Sequence, residues 1–282
     1  MDDRPSHALV RSAVRSLCRL THRGAVAADG KTGDGCGLLL KTPEPFLRAT
    51  AAAAGIDVAS QFAVGLVFLN PDPALAATAR EQLEAQLRAA GLEPAGWRVV
   101  PVDAEACGAT ALATLPQIEQ LFVNAAGGID GNEFERRLFI ARRWTENTLR
   151  KDDPVFYVAS LSARTLSYKA MVMPAFLDTF YPDLKDPALE SSACVFHQRF
   201  STNTLPQWRL AQPFRYLAHN GEINTIQGNR NWAQARASVW QLPGVPDLAE
   251  LGPPVSMEGS DSASLDNMLE IMIAGQMDML QA

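Results

Sequence analysis

Apolar residues recur at helical spacing in several parts of the chain. Ser6 is a suitable N-cap, and the apolar residues after it share one helical face, which predicts a first helix over residues 7–21. Leucines and alanines four apart predict another helix between Pro73 and Gly91. The same spacing predicts further helices over residues 43–54, 132–150, 223–239 and 262–273.

Apolar runs between these helices predict β-strands. The clearest covers residues 62–69 and ends at an Asn-Pro pair. Two runs, 154–162 and 165–172, flank a Ser-Ala-Arg turn and predict a β-hairpin. The remaining strand-like runs cover residues 37–41, 97–102, 118–125, 194–200 and 214–217. Because the helices and strands do not strictly alternate, we expect an α+β protein with helices layered on a sheet, and an αβ unit inserted around residues 70–125.

Composition and charge narrow the possible ligands. The 282 residues carry a net charge of -6, which disfavours nucleic acid, since a protein that covers phosphates is usually basic. No apolar run reaches the roughly 18 residues of a membrane span, and the start does not resemble a signal peptide. Four cysteines lack metal-site spacing, so we expect reduced thiols, no bound metal and a cytoplasmic location. The four arginines of the 132–150 helix are expected to form a solvated face, namely Arg136, Arg137, Arg142 and Arg143.

Polar residues that could carry chemistry concentrate in three places. The first is THRGA at 21–25 with TGDGCG at 32–37. Its alternate glycines resemble half of a nucleotide-binding fingerprint, but they precede a strand where the fingerprint follows one. We therefore expect a tight loop that lines a site.

The second place combines HQRFSTNT at 197–204 with AHNGEINT at 218–225. Arg199 at a strand end could hold a carboxylate through two parallel hydrogen bonds. Asn220 and Gly221 could form only a turn, since both residues tolerate positive φ. They could also stabilise an oxyanion, through the asparagine amide and the glycine N–H.

The third place is EGSDSASLDN at 258–267. Either Ser260 or Asp261 could simply cap the helix that follows. Paired with Arg199, Asp261 could instead hold an α-ammonium group. An arginine for a carboxylate and an aspartate for an ammonium would together recognise the head group of an amino acid.

These strings, continued through LPQW after HQRFSTNT and IQGNRNW after HNGEINT, occur in a fixed order along the chain. In them the chain resembles the glutaminase domain of the glutamate synthase large subunit, a class II, N-terminal-nucleophile glutamine amidotransferase. The resemblance covers residues 6–275. It implies a four-layer α/β/β/α sandwich, incomplete at both ends here. It also implies hydrolysis of L-glutamine to L-glutamate and ammonia through a γ-glutamyl thioester.

The resemblance also implies partners outside this region. Ammonia would pass to the synthase domains of the same enzyme, where 2-oxoglutarate becomes a second glutamate. The parent enzyme would use FMN and an iron–sulfur cluster, and this chain would hold neither. Its electron donor would be reduced ferredoxin, NADPH or NADH, which implies ferredoxin or a small electron-donating subunit as a further partner.

Individual roles carry over from the family motifs. The resemblance implies that Arg199 binds the glutamine α-carboxylate, that Asp261 holds the α-ammonium, and that Asn220 and Gly221 form the oxyanion hole. Arg23 would brace the loop near the nucleophile. No separate role follows for the motif histidines at 197 and 219, because the nucleophile's own α-amine serves as the base.

The start of the sequence departs from the family. The family's nucleophile is an N-terminal cysteine on a strand before the first helix, whereas this sequence begins Met1-Asp2-Asp3. An internal cysteine has no free α-amine, so we expect the chain as written not to hydrolyse glutamine alone. One hypothesis is a piece of a glutamate synthase with its cysteine upstream. Others are an inactive protein that binds glutamine or glutamate, and a domain with neither property.

Overall fold

The computed structural model describes residues 3–199, 206–246, 248 and 250–282. Within these residues the strands are β1 (Thr32–Lys41), β2 (Phe62–Leu69), β3 (Glu93–Val99), β4 (Gln117–Asn124), β5 (Tyr157–Ser162), β6 (Thr165–Val172) and β7 (Cys194–Gln198). The α-helices are α1 (His7–Arg19), α2 (Glu44–Ala53), α3 (Pro73–Ala89), α4 (Ala109–Leu112), α5 (Gly131–Leu149), α6 (Leu177–Phe180), α7 (Ile226–Ala237) and α8 (Asp261–Ala274). Short 3-10 turns lie at Thr21–Arg23, Ala104–Ala106, Pro174–Phe176, Pro182–Lys185 and Trp208–Leu210.

The strands form two antiparallel sheets. One has three strands in the order β6-β1-β7, and the other has four in the order β3-β4-β2-β5. Alternate residues of β2 join different cores, because successive side chains of a strand point to opposite faces. Val64, Leu66 and Phe68 share a buried cluster with Leu38 and other residues of the three-stranded sheet. The intervening residues of β2 share a second cluster with α3 and α5. Two antiparallel sheets flanked by helices confirm the predicted α+β sandwich.

The six predicted helices are confirmed, with ends that differ from the prediction by a few residues. Helix α1 shows why the local sequence pattern predicts a helix. The Ser6 side chain accepts a hydrogen bond from the Leu9 N–H, which satisfies one of the N–H groups left free at a helix start. Val10, Val14 and Leu17 are buried on one face of the helix. None of the helices in the described residues is both long and apolar enough to cross a membrane.

The predicted hairpin over 154–172 is wrong. Strands β5 and β6 follow each other in the chain but belong to different sheets. The Ser162 hydroxyl accepts hydrogen bonds from the N–H groups of Arg164 and Thr165, and this turn leads the chain from one sheet to the other. Both strands are buried along nearly their whole length, which is typical of strands packed on both faces rather than of a solvated hairpin.

The predicted loop over residues 32–37 is also wrong, because these residues are the first part of β1. Its glycines allow β1 to lie close to β6. A Cβ atom at Gly37 would lie 2.6 Å from the Tyr168 carbonyl oxygen, and one at Gly33 would lie 3.0 Å from the Val172 carbonyl oxygen. Glycine is used here for close backbone approach rather than for a turn.

Two further strand predictions need correction. Residues 214–217 do not form a strand, because the Asp266 carboxylate accepts the N–H groups of Arg215, Tyr216 and Leu217 in place of a neighbouring strand. The run predicted over 97–102 is displaced, since β3 spans Glu93–Val99. Residue 200, the last of the strand predicted over 194–200, lies outside the described residues.

The expected solvated arginine face of α5 is wrong as well. The Arg142 side chain is only 2% exposed and forms ion pairs with Glu146 and with Glu270 of α8. Arg143 donates to the Pro253 carbonyl, and Arg136 pairs with Glu133. A buried guanidinium requires a paired carboxylate, and here Glu270 comes from more than 120 residues further along the chain, so the local charge pattern could not reveal it.

Candidate functional site

Arg199 lies immediately after β7, where the chain leaves the three-stranded sheet. Its N–H donates to the Gly35 carbonyl of β1 over 3.2 Å. Its φ of 103° is unusual for a residue other than glycine, and such backbone conformations concentrate at functional sites because the surrounding structure must hold them. The Arg199 side chain is half-buried.

Arg23 lies close to this strand end. It closes the turn at Thr21–Arg23 and is exposed. The next residue, Gly24, packs on β7 so tightly that a Cβ atom would lie 2.4 Å from Gln198 Nε2. The same Gln198 nitrogen donates to the Thr21 carbonyl oxygen over 3.2 Å. The structure therefore brings the turn of Arg23 next to the strand end of Arg199.

Asn220 and Gly221 lie at the surface, in a segment without regular secondary structure. The residue before them, His219, is held at both backbone polar groups by Gln212: its N–H donates to Gln212 Oε1 over 2.8 Å, and its carbonyl accepts from Gln212 Nε2 over 3.1 Å. His219 Nδ1 lies 2.9 Å from the hydroxyl oxygen of Ser262. The candidate oxyanion donors are thus exposed to solvent on a firmly held segment.

Asp261 is the first residue of α8 and is only 8% exposed. Its Oδ2 accepts the Ile223 N–H over 2.8 Å, and its Oδ1 accepts the Ser262 N–H over 2.7 Å. Ser260, the other candidate cap, performs the capping, because its hydroxyl accepts the Ala263 N–H. The positive end of the helix dipole favours a carboxylate at this position. Asp261 therefore holds the segment that follows Asn220 and Gly221, at Ile223.

His197 of β7 lies near enough to His219 for the two imidazole rings to interact electrostatically. Burial, with a smaller contribution from the nearby His219 ring, lowers the pKa of His197 to about 4. The His197 imidazole is therefore neutral at pH 7. Among the described residues its Nδ1 is buried without a hydrogen-bond partner. The structure thus brings Arg23 together with Arg199, and Asn220 and Gly221 together with Asp261.

Sequence reasoning missed two residues that shape this site. The buried Arg230 of α7 donates to the carbonyl oxygens of Gly259 and Ser260 and to the Ser264 hydroxyl. It fixes the segment that leads into Asp261. Gln212, which holds His219, was missed in the same way. Neither has a local sequence signal, although Arg230 stands within the NRNW end of a motif already singled out.

The family model described as glutamine amidotransferases class-II matches residues 1–282. This chain belongs to the class II glutamine amidotransferases. It is 41% identical over 280 residues to the glutamate synthase [NADPH] large chain of Azospirillum brasilense, covering 97% of this chain and 18% of that protein. It is 41% identical over 274 residues to ferredoxin-dependent glutamate synthase 2 of Synechocystis, covering 96% of this chain and 17% of that protein.

A third relative is the glutamate synthase [NADPH] large chain of Bacillus subtilis, 38% identical over 270 residues, with 95% of this chain and 18% of that protein covered. This amidotransferase chain therefore spans less than a fifth of the length of these relatives. The resemblance stated from the motifs is confirmed by these comparisons.

The cysteines of this amidotransferase chain are all free thiols in unreactive surroundings. Burial raises the pKa of Cys107 and of Cys194 to about 11. Burial also raises the pKa of Cys18 and of the fully buried Cys36. Because the thiolate is the nucleophilic form, none of the four is activated at neutral pH. Over the ranges that the structure describes, no group of three or more His, Cys, Asp or Glu side chains could hold a metal ion.

Proposed function

We propose that this chain is the glutaminase part of a glutamate synthase, which hydrolyses L-glutamine to L-glutamate and ammonia for transfer to 2-oxoglutarate. The observation that carries the proposal is the pairing of Asp261 Oδ2 with the Ile223 N–H over 2.8 Å. It joins a buried carboxylate, suited to an α-ammonium, to the segment that bears Asn220 and Gly221. The glutamate synthases among the relatives support the same activity.

In this proposal each half of the site recognises one part of glutamine. Arg199 binds the α-carboxylate, because a guanidinium offers two parallel N–H donors to a carboxylate. Asp261 binds the α-ammonium through a charge-assisted hydrogen bond. Arg23, exposed beside the end of β7, braces the loop that borders the carboxylate side. Together these charges place the side-chain amide of glutamine over Asn220 and Gly221.

The proposed reaction proceeds by acyl transfer to a cysteine thiolate. The thiolate attacks the amide carbonyl carbon, and the Asn220 side-chain amide and the Gly221 N–H stabilise the oxyanion that forms. Collapse of this intermediate forms a thioester and expels ammonia, because the leaving nitrogen takes the proton that the α-amine had removed from the thiol. Water then hydrolyses the thioester to glutamate and returns the thiol. The nucleophile is a cysteine with a free α-amine as its base, distinct from the four protonated thiols described above.

The proposal extends to partners beyond this chain. The ammonia would be used by the synthase domains of the same enzyme, and the relatives' names point to NADPH or ferredoxin as the source of electrons. FMN and an iron–sulfur cluster would supply electron transfer there, and no residue of this chain is assigned to either group. Four unpaired thiols support a cytoplasmic location.

An ammonia-release assay on the native protein, as its own cells produce it, tests this function. L-Glutamine labelled with ¹⁵N in the amide group is the substrate, and L-asparagine, one methylene shorter, is the control. We expect labelled ammonia from glutamine and little from asparagine. Glutamine binding without ammonia release would instead support an inactive binding protein, and the absence of both would refute the assignment.

A further inference from the structure

One buried carboxamide holds the segment that leads to the candidate oxyanion donors. The Gln212 side chain is only 2% exposed and binds the N–H and the carbonyl oxygen of His219, at 2.8 Å and 3.1 Å. A peptide group is planar, so fixing the His219 carbonyl also fixes the direction of the Asn220 N–H. Gln212 therefore fixes the plane of the peptide group between His219 and Asn220. The next peptide group, between Asn220 and Gly221, starts from this fixed plane.

The His219 ring contacts the same segment at Gly221. A Cβ atom at Gly221 would lie 2.8 Å from His219 Nε2 and 3.1 Å from Cε1, so the backbone of Gly221 rests on the ring. Nδ1 of the ring lies 2.9 Å from the Ser262 hydroxyl oxygen, which in turn donates to Asp261 Oδ1 over 3.3 Å. The peptide group that bears the Gly221 N–H therefore lies between two fixed points. One is the His219 backbone, which Gln212 binds, and the other is Gly221, which packs on the His219 ring.

Gln212 is itself held by the three-stranded sheet. Its carbonyl oxygen would lie 3.0 Å from a Cβ atom at Gly37, so the backbone of residue 212 packs directly on β1. His197 is the register partner of Gly37 on β7. Gln212 thus connects the three-stranded sheet, which contains the strand before Arg199, with the segment that bears Asn220 and Gly221.

We propose that Gln212 is a positioning residue, whose carboxamide orients the Asn220 and Gly221 donors through His219 without touching the substrate. This inference rests on the proposed glutaminase function. Preorganised donors stabilise an oxyanion because they need no reorientation as charge develops in the transition state. Loss of the two Gln212 hydrogen bonds to His219 should therefore reduce transition-state stabilisation, while the contacts of Arg199 and Asp261 with the head group of glutamine remain.

The test compares Gln212→Met with Gln120→Met in the native protein. Gln120 of β4, in the four-stranded sheet, is a suitable control because it is fully buried and its side chain also makes two hydrogen bonds, with Arg98 and Tyr168. Loss of a whole oxyanion donor typically costs about 10²- to 10³-fold in kcat. For misdirected donors we expect kcat of Gln212→Met to fall about 10- to 100-fold, with KM within about threefold of wild type. Gln120→Met should retain wild-type kcat in its folded fraction.

A second variant tests whether Gln212 acts through the same donors. Gly221→Ala forces its methyl group against the His219 ring and should also reduce kcat. If both changes displace the same peptide, the double variant should be little worse than the worse single variant. Multiplicative losses would overturn the inference.

The wild-type assay separates this inference from the proposed function. A wild-type protein that releases no ammonia overturns the proposed function and, with it, this inference. An active wild type with a Gln212→Met kcat within threefold overturns the positioning role alone. An equal loss of kcat in Gln120→Met would also overturn that role, because replacing a buried glutamine elsewhere in the protein would then have the same effect.

Discussion

Asp261→Asn should weaken glutamine binding while costing no more stability than a matched change on the same helix. The carboxylate uses both oxygens, accepting the Ile223 N–H at Oδ2 and the Ser262 N–H at Oδ1. Asparagine keeps the shape but turns an amide NH₂ toward one of these N–H groups. One buried donor is left without an acceptor, which costs about 1–3 kcal/mol of unfolding free energy.

The larger effect of Asp261→Asn is on the ligand. A hydrogen bond to a charged group contributes roughly 1.5–3 kcal/mol, and each 1.4 kcal/mol changes a dissociation constant about tenfold. Loss of the carboxylate–ammonium contact should therefore raise the Kd for glutamine by about 10- to 150-fold. Calorimetric titration of the native protein measures this Kd, and urea unfolding monitored by circular dichroism measures the stability.

Asp266→Asn is the matched control for this experiment. Asp266 lies on α8, is fully buried and accepts backbone N–H groups at both oxygens, from residues 215, 216 and 217. It should lose comparable stability and retain the wild-type Kd in its folded state. A folded Asp261→Asn protein that binds glutamine within twofold of wild type would refute the assignment of the ammonium to Asp261, as would equal losses of affinity in both variants.

Single substitutions at three other sites should have distinct effects on binding or stability. Arg199→Lys should raise the Kd for glutamine about tenfold in the same titration, because a point charge cannot replace the planar guanidinium, and an unchanged Kd would remove Arg199 from the site. His197 has a folded pKa of about 4, below its unfolded value near 6.5, so its contribution to stability is present above pH 6.5 and lost as the pH falls to 4. Burial raises the pKa of Asp266 to about 6, which changes stability in the opposite direction over the same pH range. The measured quantity is therefore the unfolding free energy of wild type minus that of His197→Asn, and this difference should fall by about 2–3 kcal/mol between pH 6.5 and pH 4. A difference that stays constant with pH would contradict a buried neutral imidazole. Arg142→Met should lose about 3–5 kcal/mol of unfolding free energy, because it leaves the buried Glu270 carboxylate without its closest ion-pair partner. Arg88→Met, at an exposed ion pair, should lose under about 1 kcal/mol. Similar losses in the two variants would count against a buried ion-pair network.

Local patterns predicted the helices and the strand at 62–69 because these elements are specified by residues close in sequence. The Ser6 cap and the apolar face of α1 are of this kind. The partners of strands are not specified locally. The turn at Ser162 is compatible with a hairpin, and only the packing of β5 beside β2 and of β6 beside β1 decides that it joins two sheets.

Glycine-rich and arginine-rich segments were misinterpreted for the same physical reason. Gly33 and Gly37 suggested a loop, but they are required by the close approach of β6, which is contributed from more than 120 residues away. The arginines of α5 suggested a solvated face, but Glu270 neutralises Arg142 from a distant helix. In the candidate site, the motifs identified residues suited to bind an amino acid, whereas Gln212 and Arg230 act through contacts that exist only in the folded chain.

Covalent labelling of the native protein with a glutamine analogue tests the proposed glutaminase function directly. The analogue carries a diazoketone in place of the side-chain amide, so it alkylates the nucleophile of a glutaminase site, and peptide mass spectrometry locates the label. We expect one label per chain, on a cysteine with a free α-amine, and we expect excess L-glutamine to block it. A label on Cys18, Cys36, Cys107 or Cys194, or no label that glutamine blocks, would contradict that function.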